Sequence, residues 1–175
     1  MITALAVTLA LAAAPASGGP TQSSYQTTGG DLYSELDAHA LAAGLSPLRP
    51  TDADELRIWG HSYMLREVAG YVITSDAIVT CSTQYEYASD VVTINPATCV
   101  NFSGWHGNSD VLGKLIELSQ LVDAELECET YDGVGYLIEG VVAGRRFAFT
   151  ANNPDNCSDD GSRLVSGVLQ MLPGE

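Results

Sequence analysis

The clearest alternation of apolar and polar positions lies between residues 135 and 151. Positions 136, 138, 140 and 142 share one parity, and positions 137, 139 and 141 share the other. After Ala143-Gly144, the two phenylalanines Phe147 and Phe149 again share a parity. Because strand side chains alternate between the two faces of a sheet, the pattern predicts two strands joined by a turn at Ala143-Gly144.

Two registers are open for this hairpin. A turn centred on Ala143-Gly144 places Ile138 opposite Phe149, whereas a three-residue loop places Glu139 opposite Phe147. The first register is preferred because it puts apolar residues together. It requires a positive φ at Ala143, unless a four-residue loop over 142–145 relieves that demand while keeping the same register.

The remaining strands are shorter and less regular. Apolar runs predict strands over 56–64, 68–74, 77–87, 91–94 and 126–130. A turn at Ser75-Asp76 places Gly70 opposite Cys81, and the Asp132-Gly133 turn makes 126–151 a three-stranded meander.

Three helices are predicted from helical spacing and capping residues. They cover residues 31–45, 109–121 and 159–172. Asp31 can cap the first, which is rich in alanine and offers few large side chains for packing. The second and third have apolar faces suited to a sheet.

The two halves of the chain resemble each other weakly. Asn95 to Cys99 and Asn153 to Cys157 both read NPxxC, and each follows strands. We therefore expect an α+β fold: an antiparallel sheet of about six strands in two β-meander-plus-helix halves, with the helices on one face. The alternative is that Asn-Pro is simply a good strand terminator and the halves are unrelated.

The first 54 residues differ in composition from the rest. Residues 2–14 are apolar apart from Thr3 and Thr8, and the run is too short to span a bilayer. It precedes Ala14-Pro15-Ala16, which fits a small-x-small cleavage site, although no basic residue precedes the run. We predict a signal peptide over 1–16, a linker with a short helix over 17–54, and a single α+β domain over 55–175. The alternative is a cytosolic apolar helix.

The four cysteines point in the same direction. An even number of cysteines in an exported chain favours disulfides, and of the three possible connectivities we prefer Cys81–Cys99 and Cys128–Cys157. Each would close a loop of roughly 20–30 residues, worth about 3 kcal/mol. The rival is a zinc site, but the cysteines are far apart and neither CxxC nor HxxxH occurs. We expect a secreted or periplasmic protein with no membrane span in the mature chain.

The charge balance limits the partners. The chain has 22 acidic and 7 basic residues, a net charge of −15. Phosphate backbones require clustered lysine and arginine, so no nucleic-acid partner is expected. Acidity of this size favours solubility outside the cytoplasm.

Two segments are candidate binding sites. The loop 103–110 carries Trp105 and His106 between glycines, and Trp105 is a plausible anchor for a partner. The alternative, which we prefer, is that Trp105 packs inward and the loop only connects two elements. A catalytic triad is not expected there, because triads combine separate segments and no GxSxG occurs. The tip pair Arg145-Arg146 could contact an acidic partner, or Arg146 could pair with Glu139 across the strands.

The histidines do not predict a metal or a cofactor. His61 shares a sheet face with Trp59, and His39 lies in the first helix, but no two histidines have the close spacing of metal ligands. We therefore predict no metal, no cofactor and no catalytic residue from the sequence.

The function expected from these features is a non-enzymatic binding or interaction module, disulfide-stabilised and exported. Its partner would be a protein or a surface polymer. The alternatives are a small extracellular hydrolase, an inhibitor of an extracellular enzyme, and a structural component of the envelope. A deep pocket holding His61 or His106 beside a carboxylate would favour the hydrolase.

Overall fold

A nine-stranded sheet carries the fold in the computed structural model, which describes residues 19–27, 30–62, 64–102, 105–122, 125–127 and 134–173. The strands are β1 (Ser23–Gln26), β2 (Glu55–Ser62), β3 (Glu67–Ile73), β4 (Ile78–Ala88), β5 (Val91–Ile94), β6 (Thr98–Asn101), β7 (Glu125–Glu127), β8 (Val134–Val142) and β9 (Arg145–Asn152). The helices are α1 (Leu32–Ala42), α2 (Asn108–Leu112), α3 (Leu115–Leu118) and α4 (Asp160–Met171). None of these helices is long and apolar enough to cross a bilayer.

The strand order is β1-β5-β4-β3-β2-β8-β9-β7, and the short β6 also pairs with β4. All described pairings are antiparallel except that of β7 with β9. The prediction of an α+β fold with an antiparallel sheet is therefore confirmed, but about six strands was too few. The missed strands are β1, within the predicted linker, and β6. None of the four residues of β6 is buried and only Cys99 is half-buried, so this short strand has no apolar alternation to detect.

The two faces of the sheet pack against different helices. Ile58, Ile138 and Phe149 share one face with the buried side chains of α2, α3 and α4, such as Leu115 and Val165. The opposite face of the same strands packs against α1, where a second core forms around the residues Leu36, Ala38, Trp59, Val72, Tyr85 and Leu137. The two helices predicted for the domain thus share a face, and α1 covers the other one.

The predicted hairpin register is confirmed. Ile138 pairs with Phe149 and Gly140 with Phe147, and Val142 pairs with Arg145 across a two-residue turn. Ala143 accordingly has a positive φ of 50°. Its amide donates to Asp54 Oδ1 at 3.1 Å, which helps to hold this unfavourable conformation.

Gly70 and Gly140 make room for aromatic rings. A Cβ atom on Gly140 would lie 2.6 Å from the Phe147 ring, and one on Gly70 would lie 2.3 Å from the Trp59 ring. The predicted pairing of Gly70 with Cys81 is also present. A backbone without a side chain is therefore required at both positions for the neighbouring ring to lie across the strand.

The predicted meander over 126–151 is wrong at its first strand. β7 pairs with β9, in parallel, and not with β8. The reason is that β2 occupies the other edge of β8 along the whole strand, from Val134 to Val141. Among the described strands, β9 is the one that still offers a free edge on this side of the sheet.

The predicted helix over 109–121 is divided. α2 ends before Gly113, α3 follows it, and a 3₁₀ turn completes the segment at Ser119–Leu121. Both α2 and α3 still contribute buried apolar residues to one core. The predicted helix is interrupted at Gly113, because glycine is unfavourable in a helix interior.

Helix α1 begins and ends at residues with clear local signals. Asp31 caps its N-terminus by accepting from the Ser34 amide at 2.7 Å, as predicted. Gly44, with a φ of 74°, stops it: the Gly44 amide donates to Leu41 and the Leu45 amide to Ala40, a Schellman arrangement. The helix thus ends at Ala42, short of the predicted Leu45.

The disulfide Cys81–Cys99 is confirmed, and it joins directly opposed residues of β4 and β6. The second predicted bond involves Cys128, which lies outside the described residues, so Cys128–Cys157 stays a prediction. The signal peptide over 1–16 also lies outside them. The organisation in two halves is not confirmed: in the described chain, six strands precede α2 and three follow α3, in one continuous sheet.

Replacing Ala143 by glycine is expected to stabilise the protein by about 1 kcal/mol, because glycine adopts positive φ without a Cβ clash. The matched change Gly144→Ala should destabilise it by a similar amount, since Gly144 has a φ of 74°. Urea denaturation of both variants measures the two differences. Equal and opposite shifts support a strained two-residue turn, whereas no change at Ala143 would indicate the four-residue loop.

Candidate functional site

The polar residues of the described core are concentrated on the face covered by α1. β2 is buried along its length and directs Arg57, Trp59 and His61 to this face. β8 contributes Glu139, and α1 contributes His39. Four of these five are polar or charged groups that require partners when they leave water, so this face is the natural place to look for chemistry.

The first group of polar side chains is an ion-pair network around Glu139, whose side chain is fully buried. Arg146 donates to Glu139 Oε2 at 2.8 Å and to Asp37 Oδ1 at 2.8 Å, and its guanidinium lies over the Tyr33 ring, 4.7 Å from the centroid. Arg57 lies 3.8 Å from the other Glu139 oxygen. Two residues of α1, Tyr33 and Asp37, are thereby tied to the sheet.

The environment of Glu139 acts on its charge in two directions. Burial raises the pKa of the Glu139 carboxyl above its ordinary value, while the charges of Arg57 and Arg146 oppose the increase. Arg57 is itself held by Glu55 at 2.6 Å and by the Ser46 carbonyl at 2.9 Å. Each residue of the network is paired with another, although Oε1 of the buried Glu139 has no hydrogen-bond partner among the described residues. The network serves to fix α1.

The second group is a set of stacked rings. His39 stacks on Trp59 with centroids 5.5 Å apart, and meets His61 edge to face at 4.7 Å. His61 lies 5.7 Å from Tyr85, which contacts Tyr87 at 5.2 Å. The rings form one continuous line from the interior at Trp59 to the surface at Tyr87.

The two histidines are buried and incompletely paired. His39 is 1 % exposed and His61 is 5 % exposed, and Nε2 of each has no hydrogen-bond partner among the described residues. Burial lowers the pKa of His61 to about 4, and burial together with the nearby His61 lowers that of His39 well below its ordinary value. Both imidazoles are therefore neutral near pH 7.

Glu35 completes the cluster from α1. It lies one helical turn before His39, so both side chains project from the same side of the helix. Burial raises the pKa of Glu35, and a hydrogen bond from the Tyr25 hydroxyl opposes this. One donor atom from each of Glu35, His39 and His61 lies within 4.8 Å of the others.

A cleft of 380 Å³ opens over this cluster. It lies between β1, the N-terminal part of α1 and the adjacent ends of β2, β8 and β9, and His61 and Glu35 both line it. Its described lining includes the acids Asp31 and Glu35 and the rings of Tyr25 and Tyr87, but neither lysine nor arginine. Such walls favour a cationic or neutral ligand over an anion.

The arrangement suits coordination better than proton transfer. Neutral imidazole nitrogens and a carboxylate oxygen are ligands for divalent transition metals. A histidine with a pKa of about 4 is a weak general base near neutral pH, where an efficient base has a pKa near the working pH. His61 beside Glu35 in a cleft nevertheless matches the arrangement that would favour a small hydrolase, a histidine beside a carboxylate in a pocket.

The structure separates the candidate residues named from the sequence. Trp105 packs against the core on the face of α2–α4, and His106 is exposed beside it. Arg145 is exposed at the hairpin tip, whereas Arg146 belongs to the network with Glu139 on the α1 face. No described contact joins Trp105 or His106 to either arginine. The predicted cross-strand contact of Arg146 with Glu139 is present.

Sequence reasoning missed Glu35 and the pairing of His39 with His61. The spacing of Glu35 and His39 was available as a signal, since residues four apart share a helix face. The pairing was not, because His39 and His61 belong to different elements separated by a long loop. The prediction that His61 and Trp59 share one face of the sheet is confirmed.

No known family model matches the chain, and a search of the curated proteins finds no significant match. We therefore infer the function from the geometry of the molecule.

Removing Arg146 is expected to destabilise the fold by about 3 kcal/mol, because it leaves the buried Glu139 carboxylate with only the more distant Arg57. Urea denaturation of Arg146→Ala measures the loss, and hydrogen exchange should show α1 opening more often. Arg163→Ala is the control, since Arg163 forms an exposed pair with Asp160. Equal effects of the two changes would contradict the anchoring role.

Acidification is expected to destabilise the protein through the buried histidines. The unfolded chain binds a proton at His61 near the ordinary pKa of 6.5, and the folded chain only near 4. The unfolded state therefore binds more protons in this window, and His61 alone lowers the free energy of unfolding by about 3 kcal/mol as the pH falls through it. His39 acts in the same direction.

Urea denaturation between about pH 7 and about pH 4, in buffer with EDTA, tests this. The fall in stability should be smaller for His61→Gln than for the unmodified chain, and unchanged for His106→Asn, because His106 is exposed near the opposite face. A His61→Gln variant with the full pH dependence would contradict the assignment.

Proposed function

We propose that this protein is an exported, non-enzymatic binding module that accepts a cationic ligand in the cleft beside α1. The observation that carries the proposal is the lining of that cleft. Asp31 and Glu35 supply negative charge, Tyr25 and Tyr87 supply aromatic rings, and no basic side chain among the described lining residues opposes a cation. A cationic group of this kind can belong to a small molecule, a protein or a surface polymer.

The net charge supports the same choice of ligand. At −15, the whole chain attracts cations and repels anions, and a concave acidic surface concentrates this field. The rings of Tyr25 and Tyr87 add a favourable interaction for an organic cation, which binds over an aromatic face. An anionic substrate such as a phosphate ester is disfavoured on the same grounds.

Export is supported by the disulfide and the sequence. The confirmed Cys81–Cys99 bond is compatible with an extracellular or periplasmic protein, where disulfides persist. The predicted signal peptide points in the same direction. Pairing β6 to β4 with a covalent bond also suits a protein that must stay folded without intracellular chaperones.

A small extracellular hydrolase is the second candidate. His61 lines the cleft beside Glu35, which is the arrangement that such an enzyme would use. The weak basicity of His61 favours binding over proton transfer, and the described lining offers only Thr27 and Thr150 as hydroxyl nucleophiles besides tyrosine. Ester turnover that is abolished by His61→Gln would favour the hydrolase.

Spermidine is a suitable probe of the proposed cleft because it carries positive charge on a flexible chain. We expect calorimetry of the EDTA-treated chain to show one spermidine site that weakens with salt. Asp31→Asn should weaken binding about 3–10-fold through the lost charge. Asparagine also caps helices well, so α1 should stay intact.

Asp76→Asn is the matched control. It removes one exposed acid at the turn between β3 and β4, away from the cleft lining. An equal loss in both variants would mean that spermidine responds only to net charge. No measurable spermidine binding by the unmodified chain would count against an organic-cation ligand.

A further inference from the structure

The buried histidines pose a problem that the ring stack alone does not solve. Aromatic contacts account for the apolar faces of His39 and His61, but not for Nε2 of either ring. A buried nitrogen without a partner is unfavourable, and here two imidazole nitrogens occur side by side, with Nε1 of the stacked Trp59 also lacking a described partner. Leucine or phenylalanine would fill this space without leaving a buried nitrogen unpaired. The two histidines therefore indicate a ligand bound between them.

Glu35, His39 and His61 are placed on their elements so that they could bind such a ligand together. Glu35 and His39 are four residues apart on α1, the spacing at which a helix presents two metal ligands from one face. His61 comes from the central strand β2, which is buried along its length and rigidly paired on both edges. One rigid and two helix-borne donors therefore converge on one point.

The distances allow closure around an ion. The donor atoms lie within 4.8 Å of one another. Ligands at about 2.0–2.1 Å from a tetrahedral ion are about 3.4 Å apart, so the donors must approach by at most about 1.4 Å. Glu35, which is partly exposed and long, can make most of this movement by rotating its side chain.

We propose that Glu35, His39 and His61 bind a divalent transition-metal ion of the zinc class, with its remaining coordination position opening into the cleft. The inference rests on the proposed function, since it names the cation that the cleft holds. Two imidazoles and one carboxylate favour zinc, cobalt, nickel or copper over calcium or magnesium, which prefer oxygen ligands. His61 and Glu35 line the cleft, so a ligand of the ion would enter from there.

The surroundings supply the supporting contacts that a metal site needs. The Tyr25 hydroxyl donates to Glu35 and orients that carboxylate. Trp59 stacks on His39 and limits its rotation, and Gly70 leaves space for the Trp59 ring. Arg146 ties α1 to the sheet through Asp37. Outer contacts of this kind keep metal ligands in place.

The competing explanation is a buried pair of neutral histidines bridged by water. Such a pair would occupy the same space and would need no ion. The two explanations differ in what they predict for metal binding, for its dependence on Glu35, and for stability in the presence of the ion. Glu35 has no role in a bridged histidine pair.

The test is titration of the untagged, EDTA-treated chain with Zn²⁺ alone, followed by calorimetry. We expect one tight site per chain and a higher melting temperature with Zn²⁺. Glu35→Gln and His61→Asn should each weaken binding by at least about 10–100-fold, the effect of losing even an outer contact to a metal site. Titration with Co²⁺ should give visible absorption typical of low coordination, which both variants lose.

The controls are Glu117→Gln and His106→Asn, which remove the same donor types elsewhere. Glu117 pairs with Lys114 on α3, and His106 is exposed near α2. Both variants should bind Zn²⁺ like the unmodified chain. Should His61→Asn fail to fold, Glu35→Gln still decides the matter, because Glu35 is partly exposed and its loss leaves the core intact.

The outcomes also separate this inference from the proposed function. Spermidine binding without a Zn²⁺ site overturns the metal site and leaves the cleft as a cation-binding surface. Zn²⁺ binding that survives both donor changes overturns the assigned ligands. Absence of binding by both probes overturns the metal site and the cationic ligand together.

Discussion

The buried carboxylate of Glu139 is the constraint on which the α1 face depends. A charge placed in the middle of a sheet is unfavourable unless cations reach it, and β2 and β9 supply Arg57 and Arg146. Arg146 has donors left over after it binds Glu139, and it uses them on Asp37 of α1. The arginine that neutralises the buried Glu139 therefore also holds α1 against the sheet.

Docking of α1 in turn creates the candidate site. The helix buries alanines and one leucine, Leu36, and such small side chains let its backbone approach the sheet closely. Close approach brings His39 onto Trp59 and His61, and aligns Glu35 with the same point. A cluster divided between a helix and a strand exists only while that helix stays in place, so binding at the site and stability of the α1 face are coupled.

Much of the fold follows from short-range patterns that the sequence displays. The register of β8 with β9 follows from the parity of Phe147 and Phe149, and the start of α1 follows from Asp31. Cys81 and Cys99 were paired correctly because both lie in the first half of the chain, although β6, which carries Cys99, was not predicted. By contrast, β1 carries no apolar alternation, and β7 pairs in parallel because β8 had no free edge, which is a property of the assembled sheet.

The fold class, the strand parity that places His61 beside Trp59, and the acidic composition that disfavours a nucleic-acid partner can all be read from the sequence alone. The packing of α1 on this face, its anchoring by Arg146 and the contact of His39 with His61 become visible only in the folded chain. The physical reason is that periodicity reports which side of its own element a residue occupies. The element that packs against that side is decided by burial and charge pairing over the whole chain. A local pattern carries no information about such distant contacts.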